Sequence, residues 1–408
     1  MAITVRLAAL RNRDFRIFWV GQLISLSGTW MQSVAQGWLV YSLTGSPFYL
    51  GVVAASGTLP ILLLTLAGGI VADRFRKRNL LLVTQALSII PALALGILTD
   101  IRVVTVWEVA LFAALLGTVN AFDMPARQSF IVEMVGRENL TNAIALNSAA
   151  FHGARMIGPV IAGVTIASIG LPACFYLNAL SFVAVIVALS RIRARGMTRE
   201  KSESLAGDLA EGLRYMRGHA HVLRVIVLVA VFSLLGMPFI TLLPIFAGDI
   251  YHRGPEGFGL MVGATGAGAL LAALSLAFRE DIPDKTRSMT LSAFFFSILL
   301  LLFALIRHYT VSIALLVCIG WSLVSFFAVA NSHIQLTVPD TLRGRAMSVY
   351  TFVFLGTAPI GNSLIGTLAH AIGTPLAIGA VAVTCLVISG FFCRKICVET
   401  GYDGRRPG

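Results

Sequence analysis

The chain has 408 residues, of which 57% are hydrophobic and only 12% are charged. Soluble globular domains carry charge on about a quarter of their residues, so this composition excludes an ordinary soluble protein. The formal net charge of +12 fits either a nucleic-acid partner or a membrane surface, and the positions of the charges must decide between them.

The apolar runs predict an all-α membrane protein with twelve spans. Most runs are 18 or more residues long, enough to cross a hydrocarbon core of about 30 Å as helices. We expect the first span to be a retained anchor, because no small-residue cleavage site of a signal peptide follows it. The predicted spans are 17–40, 48–71, 79–99, 104–125, 139–168, 172–190, 222–248, 257–278, 288–306, 310–338, 345–370 and 374–393.

The basic residues predict the orientation of these spans. If the spans alternate, 27 of the 31 Lys and Arg residues fall on one face of the membrane. The positive-inside rule then places both termini in the cytoplasm and the chain in the inner membrane as a multi-pass protein. The same residues attract anionic lipid, so no nucleic acid is needed to explain them.

The first span carries a polar stripe on one helical face. Amides that face lipid are costly, so the stripe predicts substrate contacts in a cavity. The alternative is hydrogen bonding between packed helices. The stripe consists of Gln22, Ser25, Thr29, Gln32, Ser33 and Gln36.

The loop after the second span predicts a gating latch. Its Asp73 lies at a helix end, where a carboxylate can hold a neighbouring helix terminus or an arginine such as Arg127. The alternative is a basic loop that only sets topology. The predicted gating residues are Gly69, Asp73, Arg74, Lys77, Arg78 and Arg127, with Asp281 as the counterpart of Asp73 in the second half of the chain.

The fifth span combines small residues, a proline and a buried charge. Small residues allow close helix contact and proline bends a helix, so a packing hinge is predicted at Gly153, Gly158, Pro159 and Gly163.

An arginine within a span needs compensation, which predicts that Arg155 contacts an anionic or acceptor-rich substrate, with Ser148 and His152 on the same face. The alternative is a structural ion pair with Asp123 or Glu133. On the tenth span, Asn331 is a weaker substrate-binding candidate.

Shifted copies of the sequence indicate a duplication. A shift of 203 residues aligns Gly163 with Gly366, and a shift of 208 aligns Gly51 with Gly259. We therefore predict two parallel six-helix bundles. Their predicted ranges are 1–190 and 222–397, with a linker 191–221 containing an amphipathic helix and a cytoplasmic tail 398–408.

The motifs carry a family resemblance. The segment 69–78 resembles the loop signature between helices 2 and 3 of the major facilitator superfamily, and 153–163 resembles its Gly-Pro-rich helix 5 motif of antiporters and exporters. With 38–47 and 142–148, the chain is similar to the enterobactin-exporter-like branch, which includes macrolide-efflux-type proteins. The resemblance implies secondary-active export of amphipathic small molecules, such as siderophores or drugs, by alternating access and proton antiport.

Two other functions remain open from the sequence, namely an uptake permease of the same fold and a membrane sensor or scaffold that transports nothing. No phosphate-binding loop, metal-ligand cluster or nucleophile motif is present, so we expect no enzyme, cofactor or metal. The proton-carrying group is open between Glu108, Asp249, His152 and the substrate itself. A monomer is the simplest expectation.

Overall fold

The structure is a computed structural model that describes residues 8–136, 138–192, 213–214, 216, 218–278, 282 and 284–403, with only the backbone of Thr341 and of 393–403. The described residues are nearly all helical. The long helices are α1 Arg13–Thr44, α2 Pro47–Arg74, α3 Lys77–Asp100, α4 Val106–Val135, α5 Leu140–Ser168, α6 Leu171–Arg191, α7 Ala220–Ile250, α8 Pro255–Ala277, α9 Lys285–Leu305, α10 Tyr309–Thr337, α11 Asp340–Gly356 continued by Ala358–Ile372, and α12 Thr374–Asp403.

Eleven of these helices, α2 to α12, are long and apolar enough to cross a membrane. Within the described residues α1 is the exception, although its 32 residues would reach about 48 Å as an α-helix. Its polar stripe and its charged first turn lower its apolar content. The assignment of α1 as a twelfth span therefore stays a prediction.

Local signals explain where several helices begin. The Asn12 side chain accepts hydrogen bonds from the backbone of Asp14 and Phe15 and so caps α1. Thr105 and Glu108 form a capping box at the start of α4. Both α2 and α8 open with a proline, which lacks the amide hydrogen that a first-turn residue leaves unbonded.

Two helices continue ten residues past the predicted end of their span. The span predicted to end at 125 continues to Val135, because Pro125 is tolerated inside a membrane helix whose neighbours can satisfy the freed carbonyl. The last helix continues to Asp403, so the start of the predicted tail is helical, with no proline before Pro407 to stop it. Most of the predicted linker 191–221, including its amphipathic helix, and Asp281 lie outside the described residues.

One helix of the second half is irregular. Within α7 the residues Phe232–Gly236 form a π-helical turn and Met237–Leu242 a 3₁₀ turn. Pro238 and Pro244 cannot donate the backbone hydrogen bonds of a regular α-helix, which accounts for the change in winding.

The two halves, α1–α6 and α7–α12, meet through two helix pairs that we call the seams. In the first seam α5 packs on α8, where a Cβ added to Gly163 would lie 2.8 Å from the Glu256 Cα. A Cβ added to Gly266 would lie 2.5 Å from the Arg155 carbonyl oxygen. Only glycine allows backbones to approach this closely, as in other membrane helix pairs.

The second seam, between α2 and α11, is built in the same way. A Cβ added to Gly51 would lie 2.5 Å from the Asn362 carbonyl oxygen, and one added to Gly366 would lie 2.8 Å from the Gly51 Cα. The duplication aligns Gly163 with Gly366 and Gly51 with Gly259. In the structure, Gly163 contacts Gly259 in one seam and Gly366 contacts Gly51 in the other, so the two seams are equivalent contacts between duplicated residues.

The seams close only one end of the molecule. The basic end carries loops 75–76, 136–139 and 338–339, and the opposite end carries loops 45–46, 101–105 and 251–254. Both seams lie toward the opposite end. Toward the basic end, α2 and α11 separate around a cleft of about 410 Å³, which extends along α2 from Ile61 to Gly69 and along α11 from Gly344 to Gly356.

The seam contact can be tested with two glycines of the same helix. Gly163→Leu should separate the halves at the opposite end, because overpacking a tight contact costs about 1–3 kcal/mol. Gly153→Leu is the control, since a Cβ there has nothing within 4 Å. The distance between spin labels at Ser168 and His308, both exposed at that end, should lengthen for Gly163→Leu alone. Equal distances in the two variants would contradict the tight seam.

Candidate functional site

The polar stripe of α1 divides between two environments. Gln22, Ser25 and Gln32 are buried, and the Asn178 amide of α6 donates to Gln32 Oε1 at 2.6 Å. The Thr29 hydroxyl donates to the Ser25 carbonyl oxygen. Gln32 thus makes an interhelical hydrogen bond inside the N-terminal half, and the expectation that it faces a cavity is wrong for this conformation.

The two remaining stripe residues, Ser33 and Gln36, line a cavity of about 150 Å³ between the halves near the opposite end. The cavity lies where α1 and α2 face α7 and α8. Its other walls are mainly apolar and aromatic, as in most small-molecule sites. They include Trp30, Gly37, Ile240, Thr241, Pro244, Phe258 and Val262.

Arg155 is the buried cation at the boundary between the halves. Its residue exposure is 8%, and its guanidinium lies 5.4 Å from the ring centroid of Trp30. Its Nε is buried and has no hydrogen-bond partner among the described residues. The predicted ion pair with Asp123 or Glu133 is absent from this conformation, because both carboxylates have other partners.

His152 and Ser148 share the helical face of Arg155, as predicted. His152 is half-buried, and its Nδ1 has no hydrogen-bond partner in the described structure. Ser148 is half-buried one turn nearer the basic end. The predicted face of α5 therefore carries two buried nitrogens without a described partner, His152 Nδ1 and Arg155 Nε, and its contact with substrate stays a prediction.

Asn331 lies away from these residues, on α10. Its Oδ1 accepts a 2.6 Å hydrogen bond from Gln335, its neighbour one turn along the same helix. Close by, the Nε2 atoms of His221 and His333 are 2.8 Å apart and join α7 to α10. Among the described residues no three metal-ligating side chains come together, so two histidines alone define no metal centre.

The predicted latch residues do not form one cluster in this conformation. Asp73 is half-buried and makes no hydrogen bond or ion pair with any residue that the structure describes, and Arg74 is exposed. Gly69 lines the cleft between α2 and α11. The basic end is open here, so a latch that closes this end would have to be released.

Two other residues of the loop motif have structural contacts. The Lys77 Nζ lies 3.3 Å from Glu133 Oε1, and Lys77 is only 3% exposed. Arg78 donates to the carbonyl oxygens of Leu189 and Ser190 and so caps the negative end of α6. These contacts tie the loop to α4 and α6 of the same half.

Arg127 is not paired with Asp73 in this conformation, and its contact with Asp73 in a closed latch stays a prediction. It forms an ion pair with Asp123, one helical turn earlier on α4. Asp123 is 2% exposed and also accepts hydrogen bonds from Thr84 at 2.7 Å and Gln85 at 2.8 Å on α3. Because α4 is longer than expected, Arg127 lies on the same helix as the buried Asp123 and within its reach.

The glycines of the helix 5 motif pack against different helices. A Cβ at Gly158 would lie 2.7 Å from the Ser27 carbonyl oxygen on α1, so this glycine packs inside the N-terminal half. Gly163 and the Pro159 carbonyl group contact α8 and the other half. Gly153 has open space around it. The contact with the other half therefore lies at Pro159 and Gly163, whereas Gly158 packs within its own half.

A closed gate at the opposite end was missed by sequence reasoning. The Tyr41 hydroxyl donates to Asp249 Oδ1 at 2.5 Å and joins α1 to α7. Trp38 stacks on Phe258 of α8 with ring centroids 6.1 Å apart. Trp38 and Tyr41 belong to the segment 38–47 that carried part of the family resemblance, but nothing in their spacing indicated a contact between the halves.

Comparison with known proteins identifies the family of this chain. Over residues 4–402 the chain matches the transmembrane secretion effector family. It belongs to this family, within the major facilitator superfamily. This major facilitator protein is a membrane transporter and not an enzyme.

Relatives of this transporter include efflux and siderophore proteins. The multidrug efflux pump Tap of Mycolicibacterium fortuitum is 28% identical over 358 residues, which cover 85% of this chain and 87% of the pump. The staphyloferrin A transporter of Staphylococcus aureus is 24% identical over 390 residues, covering 93% and 96%. Among solved structures, a bacterial homologue of the iron transporter ferroportin in an inward-facing state has a TM-score of 0.71 at 16% identity. The match covers 93% of this chain and 98% of that one, which shows that the fold is shared.

The ion pair of this transporter's α4 gives a stability prediction. Arg127→Ala leaves the buried Asp123 without its cation and should lower the free energy of unfolding by about 3 kcal/mol. The double variant Asp123→Asn, Arg127→Ala should recover most of that loss, because the amide needs no counter-charge. Denaturant unfolding in detergent measures both, with the exposed Arg74→Ala as control. A double variant as unstable as the single one would refute this role.

Proposed function

We propose that this chain is a secondary-active exporter of amphipathic small molecules, siderophore- or drug-like, that works by alternating access and proton antiport. In this proposal α1 is the twelfth span, and the protein lies in the inner membrane. The basic end faces the cytoplasm with both termini, as the positive-inside rule requires.

The observation that carries the proposal is the asymmetry between the two ends. Alternating access needs a barrier at one end of a central site while the other end is open. Here Trp38, Tyr41, Asp249 and Phe258 join the halves at the opposite end, while the cleft between α2 and α11 opens toward the basic end. With the basic end in the cytoplasm, this is an inward-facing conformation.

Export is favoured over uptake by the relatives and by the family's helix 5 motif. Tap is named as an efflux pump, and the motif at 158–163 supplies the glycine and proline of the α5–α8 seam. A seam with few polar bonds can part at low cost, which suits repeated opening.

The coupling proton has few candidate carboxylates in the described structure. Glu108 caps α4, Asp123 pairs with Arg127, and Glu133 pairs with Lys77. Asp249 is exposed at the gate. In this proposal, proton antiport rests on the family resemblance.

Everted membrane vesicles test export and its coupling together. Vesicles containing the protein should accumulate a fluorescent amphipath when their interior is acidified, because the substrate leaves the cytoplasmic face in exchange for protons. A protonophore should abolish the accumulation, and vesicles without the protein should show none. Uptake only into right-side-out vesicles would make the protein a permease, and gradient-independent binding without flux would favour a sensor or scaffold.

The loop motif is assigned to the other conformation. We propose that Asp73 closes the basic end in the outward-facing state, where α2 would move toward the opposite half. Its lack of a described partner in the present conformation is what a released latch requires.

The gate and the latch should shift the conformational equilibrium in opposite directions. Tyr41→Phe removes a hydrogen bond to a carboxylate, worth about 1.5 kcal/mol, and should shift the equilibrium about tenfold toward the outward-facing state. Asp73→Asn should shift it toward the inward-facing state. Thiol labelling of Ser348→Cys in the cleft, in a cysteine-free background, should fall in the first variant and rise in the second.

Tyr309→Phe is the matched control for the gate. The Tyr309 hydroxyl donates to the Gly257 carbonyl oxygen at the same end of the molecule, but within one half. Its loss should leave the labelling unchanged. If Tyr41→Phe leaves the labelling unchanged as this control does, the Tyr41–Asp249 bond does not hold the gate closed. If Asp73→Asn leaves the labelling unchanged, Asp73 only sets the topology of the loop.

A further inference from the structure

Arg155 is a charge without a counter-charge in a place where charges are costly. It lies within α5, is 8% exposed, and has a buried Nε that no described group accepts. Ionisable side chains inside a membrane protein normally pair with each other or face a substrate pathway. The face of the Trp30 ring, 5.4 Å away, attracts the cation but accepts no hydrogen bond at Nε.

The carboxylates that could neutralise Arg155 are bonded elsewhere. Asp123 holds Arg127 and two groups of α3, and Glu133 holds Lys77. Asp249 accepts the Tyr41 hydroxyl at the gate. Within the described residues, the boundary between the halves therefore has an excess of positive charge at Arg155.

The position of Arg155 connects it to the cavity. Trp30, which holds the guanidinium, is also a wall of the cavity between the halves. The Arg155 backbone lies against Gly266 of α8, so the residue sits on the α5–α8 seam. One turn toward the open basic end, His152 adds a second buried nitrogen without a partner.

We infer that Trp30, His152 and Arg155 form an anion site, and that the transported amphipath carries a carboxylate beside an aromatic or apolar body. This inference rests on the proposed export function and narrows its substrate class. A carboxylate would accept two parallel hydrogen bonds from the planar guanidinium, which a point charge cannot match. The His152 Nδ1 can donate a further bond in the tautomer that protonates it.

The same site excludes another class of molecule. A cationic amphipath would place a second positive charge beside a desolvated guanidinium, where like charges repel strongly. Substrates are therefore anions or zwitterions, and quaternary ammonium compounds are not carried.

A probe series that differs only in its head group tests this selectivity. One fluorescent aromatic amphipath is made with a carboxylate, a carboxamide or a quaternary ammonium head. Binding is measured by the thermal shift of the purified full-length protein, and transport is measured in everted vesicles. The carboxylate should bind and be carried best, the carboxamide should bind at least tenfold more weakly, and the ammonium form should do neither.

Variants then assign the selectivity to Arg155. Arg155→Gln should weaken carboxylate binding at least about tenfold, which corresponds to about 1.4 kcal/mol. It should weaken carboxamide binding by less, because the amide offers the guanidinium one oxygen and no charge. Arg155→Lys keeps the charge without the fork and should fall between the two. Arg102→Gln, exposed in the loop 101–105, is the matched control.

The outcomes separate this inference from the export function. Equal binding of the carboxylate and ammonium probes to the wild-type protein would overturn the anion site, and so would an equal loss of carboxylate and carboxamide binding in a folded Arg155→Gln. The comparison of the carboxylate and ammonium probes uses only the wild-type protein, so it still tests the anion site if Arg155→Gln folds poorly. Selective carboxylate binding without transport would instead refute the export proposal and leave the anion site standing.

Discussion

The contact of bare backbones at the two seams determines how the halves can be arranged. Gly163 with Gly259 on one side, and Gly51 with Gly366 on the other, bring helices of opposite halves together without intervening side chains. Such contacts gain from van der Waals packing, which falls off steeply with distance. The seams are therefore either closed or open, because a partly separated seam gains little packing energy. The cleft at the basic end is the consequence of seam closure at the opposite end.

The polar bonds lie within one half, whereas the seams that join the two halves are apolar. Asp123 with Arg127, Lys77 with Glu133, and Gln32 with Asn178 all lie inside the N-terminal half. Bonds of this kind are costly to break in a low-dielectric interior, so they hold the N-terminal half together. Across the halves the strong polar contact is that of Tyr41 with Asp249 at an exposed position, where water can replace either partner.

Hydropathy and periodicity predicted the helices well where a span is uniform. The fifth span, predicted at 139–168, is found at Leu140–Ser168. The prediction ended α4 ten residues too early, at 125, because Arg127 looks like a loop residue in one dimension. Asp123 neutralises Arg127 only once the two are one turn apart on a helix. A sequence pattern contains no information about that pairing unless the helix is assumed first.

The candidate site was predictable by residue type but not by neighbour. The pattern of α1 identified a polar face, yet not that α6 covers Gln32 and the cavity receives Gln36. Gly158 and Gly163 lie five residues apart, about 140° around the helix, so they face different helices. Arg155 was recognisable because a lone arginine in an apolar span is unusual, and only the structure could exclude its carboxylate partners.

The irregular winding of α7 has a mechanical consequence. The first helix of the N-terminal half, α1, is continuous over 32 residues. Its counterpart α7 changes winding four times, with π-helical turns at Phe232–Gly236 and Phe246–Ile250 on either side of Pro238 and Pro244. A helix with interrupted hydrogen bonding bends at lower cost than an intact one. The two halves therefore differ in stiffness, and a rocking motion would deform the C-terminal half first. Such a molecule would pass through an asymmetric occluded intermediate in which α7 is already bent over the site while α1 is still straight.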